Sequence, residues 1–219
     1  GIMGAGIAGL GFEKLVYGGL TKVFAGIVIA PIGGLIVGLL LTGLIITVFA
    51  KRRPAPVNKV FGKLQIISSA WFALTHGAND GQKTMGIIAL ILFSAGLIPE
   101  LEIPLWVIFA AAAAMGLGTF FGGYKVIKTL GVKITRLRPY QGFAAETGGG
   151  LMLAAFAILG IPASTTHAIT GTIMGAGAAR RKLAVRWKVS RQIVFSWIIT
   201  IPGAAAMGIG FTYLIHLFV

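Results

Sequence analysis

Apolar residues run along this chain in long blocks, and the polar ones gather in short breaks between them. The first clear block, from Lys22 to Ala50, ends at Lys51-Arg52-Arg53-Pro54, a charged anchor followed by a helix breaker. A membrane helix needs about 20 apolar residues to cross a hydrocarbon core of about 30 Å, so this block predicts a transmembrane helix. A second block runs from Lys59 to Ile98. It is too long for one straight crossing and is interrupted by the polar stretch Thr75 to Lys83, which contains Gly77-Ala78-Asn79-Asp80-Gly81. That pattern predicts a helix broken near the two glycines. A third span is expected from Pro104 to Gly122. From Pro139 to Ala178 the chain is apolar but rich in Gly, Ser and Thr, and Gly160-Ile161-Pro162 divides it into the two arms of a helical hairpin. The last span is expected from Gln192 to Phe218.

Composition narrows the class. Of 219 residues, 57% are hydrophobic and 11% charged, against about 25% charged in an ordinary soluble domain. So few charges cannot cover a water-facing surface, which excludes a soluble enzyme, a coiled coil and a disordered segment. The net charge is +14, but the cations cluster at 51–63, 125–138 and 180–191, between apolar runs. That is the pattern of cytoplasmic loops in a multi-pass protein of the plasma membrane rather than of a nucleic-acid surface. The acidic loop Pro99-Glu100-Leu101-Glu102 should then face outward. Both ends of 139–178 must lie inside, which two crossings or a re-entrant hairpin would satisfy. The polar Ser164-Thr165-Thr166-His167 favours a tip buried in protein, hence a re-entrant helical hairpin. There is no cysteine, so no disulfide framework or thiolate metal site exists.

Ile2-Met3-Gly4-Ala5-Gly6 recurs as Ile173-Met174-Gly175-Ala176-Gly177, an offset of 173 − 2 = 171 that also aligns Val23-Phe24 with Val194-Phe195 and Pro31 with Pro202. Residues 9–22 carry Lys14 and Lys22 against Glu13, whereas the matching 180–193 carry six basic residues. Related connections with opposite charge bias imply opposite membrane orientation, the mark of inverted-topology repeats in secondary transporters. The expected organisation is 1–58 as the end of a first repeat and 59–219 as a second. Gly1 aligns with Thr172, so the first-repeat counterparts of Gly77–Asp80 and Pro162–His167 are expected upstream, in an N-terminal half carrying the first motif copy.

Three polar constellations could carry chemistry. Asn79 and Asp80 sit where an unpaired Asp costs about 2.5–3.5 kcal/mol at the bilayer centre. With carbonyls freed at the glycines they would form an oxygen cage for Na+ or H+; the plainer reading is a helix N-cap. Pro162-Ala163-Ser164-Thr165-Thr166-His167 offers hydroxyls and unpaired N–H groups at a helix start, an anion site helped by the helix dipole. Glu146, in Glu146-Thr147-Gly148, is expected to face Ser164–Thr166 across the hairpin tip and to join the ion site with Thr165. A hydrogen-phosphate ligand carries an O–H that needs a carboxylate acceptor, whereas sulfate does not. Lys83 could balance anion charge or pair with Asp80, and Gln82 is a further substrate-site candidate. His76 reads as a hydrogen-bonded packing histidine, with a proton relay as the alternative. Ser164 and His167 stand without an orienting acid or a nucleophile elbow, so an intramembrane serine hydrolase is the weaker alternative, and a passive anion channel is another. No catalytic residue or resident cofactor is expected.

Gly77-Ala78-Asn79-Asp80, Glu146-Thr147-Gly148 and Pro162-Ala163-Ser164-Thr165-Thr166-His167 resemble, in order and spacing, the second motif copy of the inorganic phosphate transporter (Pit) family. The resemblance covers essentially the whole chain. It implies an all-α integral membrane protein working as a Na+- or H+-coupled phosphate symporter by alternating access. It associates Asn79, Asp80, Ser164, Thr165 and Thr166 with the substrate and ion site, and Glu146 with an important hairpin acid. The partners it implies are inorganic phosphate, Na+, the bilayer and the half carrying the first motif copy, with a homodimer as an option and no nucleic acid.

Overall fold

The computed structural model describes residues 1–180 and 184–218, without the side chain of Lys125. Arg181 and Lys182 of the third basic cluster therefore lie outside the described residues. Among the described residues seven α-helices follow in order: α1 Ile2–Leu10, α2 Tyr17–Val48, α3 Pro54–Ser94, α4 Leu105–Lys128, α5 Pro139–Ile158, α6 Thr165–Ala178 and α7 Trp187–His216. A short 3-10 turn, Phe12–Lys14, precedes α2, and a π-helical turn, Thr129–Ile134, follows α4. No strand occurs among the described residues. By length and composition α2, the Leu105–Tyr124 part of α4, and α7 can each cross a membrane, and large apolar side chains such as Phe120 and Phe121 stay outward-facing.

The chain forms two compact units, one of Gly1–Phe24 with Arg186–Val219 and one of Ala25–Val185. In the first, α1 packs on α7 at glycines: a Cβ on Gly4 would meet the Ala205 carbonyl, and one on Gly208 would meet the Gly1 carbonyl. The second contains the same kind of contact. There a Cβ on Gly175 would strike the Leu35 carbonyl, and one on Gly38 the Thr172 carbonyl. Both copies of Ile-Met-Gly-Ala-Gly thus lie close against a long helix with an internal proline, Pro202 in α7 and Pro31 in α2. Small residues permit backbone approach where lipid supplies no hydrophobic drive for helix association.

The break expected near Gly77–Gly81 does not form. α3 runs through it as one helix of 41 residues, roughly 61 Å at 1.5 Å per residue. Each helical glycine costs only about 1 kcal/mol relative to alanine, and α3 packs on α5 over part of its length. His76, Asp80 and Lys83 also lie one turn apart and pair with each other, so the polar side chains are accommodated without opening the backbone. The start at Pro54, after extended Arg53, uses the proline at its favoured first-turn position.

The hairpin is written locally. α5 opens with Pro139 in its first turn, and the Gln141 side chain accepts from the Arg138 N–H at 3.0 Å. The same side chain donates from Nε2 to the Ala176 carbonyl at 2.7 Å, which ties the start of α5 to the end of α6. α5 closes with Gly160 at φ +61°, where the Ile161 N–H reaches back to the Phe156 carbonyl and the Gly160 N–H to Ala157, a Schellman closure. Pro162 prevents the helix from resuming. Ser164 then caps α6, its Oγ accepting from the His167 N–H at 3.4 Å. Beneath this tip Ala30, Leu153, Phe156, Ala163 and Ala168 form a buried cluster, with Phe72, Met152 and Ile161 against it.

Candidate functional site

Within the Ala25–Val185 unit, α3 presents one polar edge to the hairpin. Gln65, Ser68 and Ser69 follow i, i+3, i+4 spacing, and His76, Asp80 and Lys83, starting seven residues after Ser69, follow i, i+4, i+7, which puts them along one face. Asp80 is the junction. Its Oδ2 accepts from the Thr165 hydroxyl at 2.9 Å and lies 3.1 Å from His76 Nε2, while its Oδ1 accepts from Lys83 Nζ at 3.0 Å. Lys83 Nζ also donates to the Ala163 carbonyl at 2.8 Å. The middle of α3 is therefore bound to the hairpin tip on both sides of the Ser164 cap.

A second carboxylate lies further toward the start of α3. Glu146 Oε2 accepts from Ser68 Oγ at 2.6 Å and Ser69 Oγ at 3.1 Å, and Oε1 accepts from Gln65 Nε2 at 3.3 Å. Glu146 does not face Ser164–Thr166 directly as the sequence suggested. It precedes the end of α5 by twelve residues, about 18 Å along the helix axis. Its partners come instead from the length of α3 that runs beside α5.

A cavity of about 990 Å³ reaches Glu146 and two partners of Asp80, His76 and Thr165, though Asp80 itself does not line it. Its wall includes Gln65 and His76 of α3, Glu146 of α5, and Thr165 and Thr166 of α6, with apolar Phe72 and Ile169 between them. Thr165 is buried whereas Thr166 is exposed. The first turn of α6 thus presents a free-standing hydroxyl at a helix N-terminus, where unpaired N–H groups and the dipole favour an anion.

The structure thus gathers Asp80, Lys83 and Thr165 into one network and places Glu146, Thr165 and Thr166 on one cavity. Ser164 lies between them as the α6 cap. Asn79 and Gln82 are not brought in: neither has a hydrogen-bond partner among the described residues nor lines the cavity, and Gln82 is exposed. Helix geometry accounts for this, because residues one and two positions from Asp80 point about 100° and 200° away. The carbonyls of 77–81 are held within α3, so they supply no freed ligands. Gln65, Ser68 and Ser69 were not singled out from the sequence, although their i, i+3, i+4 spacing inside an apolar run was a readable signal. His76, read as a hydrogen-bonded packing histidine, has its partner in Asp80. Among the described residues no group of three or more His, Cys, Asp and Glu could hold a metal ion.

Residues 47–208 match the phosphate transporter family. The chain is 49% identical over 206 residues to a probable low-affinity inorganic phosphate transporter of Rhizobium meliloti (strain 1021), covering 94% of this chain and 62% of that protein. It is 40% identical over 208 residues to one of Bacillus subtilis (strain 168), again covering 94% and 62%. The chain thus spans 62% of the length of these two relatives. The fold matches a solved structure described as the sodium-dependent phosphate transporter, with a TM-score of 0.83 at 23% identity over 100% of this chain and 72% of that one. These relatives carry the names of transporters rather than enzymes.

Proposed function

We propose, starting from the fact that this chain belongs to the phosphate transporter family, that it forms a substrate-binding part of a secondary active symporter for inorganic phosphate, driven by a Na+ or H+ gradient. Membership and three helices able to span a bilayer make this a membrane protein; we place it as a multi-pass protein of the plasma membrane. The observation that carries the reading is the bond between Asp80 and Thr165, which ties the middle of α3 to the hairpin tip beside a cavity.

Phosphate enters that cavity and docks at the first turn of α6. The hydroxyls of Thr165 and Thr166, the capping region at Ser164 and the helix N–H groups hold its oxygens. Asp80, the carboxylate bonded to the tip, accepts from the O–H of hydrogen phosphate, a proton that sulfate does not offer. An uncompensated dianion in this low-dielectric setting would be prohibitively costly, so a cation travels with it. The structural relative is named as sodium-dependent, which supports Na+ in that role. The loaded hairpin then shifts against α3 and opens the site to the other side, which is alternating access.

The hairpin is re-entrant in this reading. α6 has 14 residues, about 21 Å of rise against a core of about 30 Å. The paired glycine contacts of α1 on α7 and of α6 on α2 support two related repeats, and the charge bias of their connections supports an inverted arrangement. The direct test is phosphate uptake by the full-length protein in proteoliposomes, with Na+ and pH gradients imposed separately. Accumulation against the phosphate gradient under one of them is expected. Uptake that only equilibrates, whatever the gradient, would turn the reading into a channel.

A further inference from the structure

Lys83 makes two contacts that together do more than neutralise a carboxylate. Its Nζ is 3.0 Å from Asp80 Oδ1 and 2.8 Å from the Ala163 carbonyl oxygen. One is a charged oxygen in the middle of α3, and the other is a backbone oxygen of the hairpin tip, next to the Ser164 cap. A carboxylate paired with a loop carbonyl is the oxygen set that binds Na+ at discontinuities of transporter helices. Here an ammonium on a four-carbon stem spans the two. The other carboxylate oxygen, Oδ2, faces the Thr165 hydroxyl and His76 Nε2.

We propose that the Lys83 ammonium is a tethered counter-cation, taking the place between Asp80 and the Ala163 carbonyl that a free Na+ would otherwise occupy. Phosphate then meets a hairpin tip whose carboxylate is already balanced, and binds there without Na+ at Asp80. The inference rests on the symport reading and deepens it, because it confines the coupling cation to positions other than Asp80. It also makes Lys83 a specificity-determining residue: a tethered charge is not carried across with the substrate, so this place adds no ion to the transport stoichiometry. A purely structural bridge between α3 and the tip would use the same contacts but would not be replaceable by an ion.

Replaceability is what the experiment reads. Phosphate binding to the purified full-length protein is titrated in NaCl and in N-methylglucamine chloride for wild type, Lys83→Gln, Lys83→Met and the double variant Asp80→Asn/Lys83→Gln. Lys83→Gln is expected to weaken phosphate binding by tenfold or more without Na+ and to recover with Na+. Its slope of log affinity against log Na+ concentration should rise by about one ion over wild type. Lys83→Met should behave likewise, and the double variant, lacking the carboxylate, should gain no Na+ dependence. An unchanged slope in folded Lys83→Gln and Lys83→Met, or loss of monodisperse protein in both salts, would leave Lys83 a structural bridge and overturn the inference. Failure of the wild type to bind phosphate at all would instead remove the symport reading on which it stands.

Discussion

The Thr165 hydroxyl donates to Asp80 Oδ2 at 2.9 Å across 85 positions of sequence. That bond joins a carboxylate in mid-helix to the first turn of the helix it faces. Each group answers a requirement of the other: a carboxylate within an apolar span needs donors, and a threonine at a helix start has a hydroxyl to give.

Asp80→Asn is expected to abolish coupled phosphate uptake while leaving the fold largely intact. An asparagine oxygen can still accept from Thr165, and Lys83 keeps the Ala163 carbonyl, so the tip stays attached. The charge that balances Lys83 is lost. Uptake into proteoliposomes, read beside the gel-filtration profile, checks both halves; wild-type uptake would remove Asp80 from the transport site.

Ser164→Ala removes the cap on α6, a loss of about 1 kcal/mol, and an oxygen beside the proposed phosphate site. A several-fold rise in the phosphate concentration needed for half-maximal uptake is expected, with a small fall in thermal stability. Unchanged affinity would take the cap region out of the site.

The Glu146 cluster should show graded losses. Hydrogen bonds to charged groups contribute about 1.5–3 kcal/mol each, and Ser68 approaches more closely than Gln65, 2.6 Å against 3.3 Å. Ser68→Ala should therefore lower the melting temperature in detergent more than Gln65→Ala. Glu146→Gln should lower both stability and uptake, since it replaces an oxygen that accepts with an amide that donates. Equal melting temperatures for the two partner variants would contradict this assignment.

Two glycines of α2 separate packing from propensity. A Cβ at Gly38 would run into the Thr172 carbonyl of α6, whereas one at Gly43 meets nothing within 4 Å. Gly38→Ala should cost about 1–3 kcal/mol, because backbone cannot yield as a side chain can. Gly43→Ala should be neutral or stabilise by up to about 1 kcal/mol. Thermal unfolding of the two variants side by side tests the α2–α6 contact.

Local signals made much of this protein readable. Pro54, Pro139, Gly160, Pro162 and Ser164 act through the geometry of their own backbone and nearest turn, so they mark helix ends wherever the chain later packs. Long apolar blocks separated by basic clusters announced an all-helical membrane chain because the bilayer imposes a length and a polarity on every crossing. The same reasoning overreached at Gly77–Gly81. Two glycines around an amide and an acid, Asn79 and Asp80, suggest a break in isolation, but the His76–Asp80–Lys83 pairing accommodates the polar side chains within an unbroken α3. Glu146 was found as an unusual acid, yet its partners were misplaced, because which turn of α3 lies beside it depends on how the two helices pack.

Sequence by itself settled that the chain is built of long apolar helices, where the α5–α6 hairpin turns and which side chains are unusually polar, since these follow from one residue and its near neighbours. Only the tertiary structure decided that Asp80 meets Thr165, that Lys83 spans to Ala163, and that Glu146 is held by Ser68 and Ser69. Those pairings cross about 77 to 85 positions, and contacts at such separation are chosen by helix packing, which no local pattern of residues encodes.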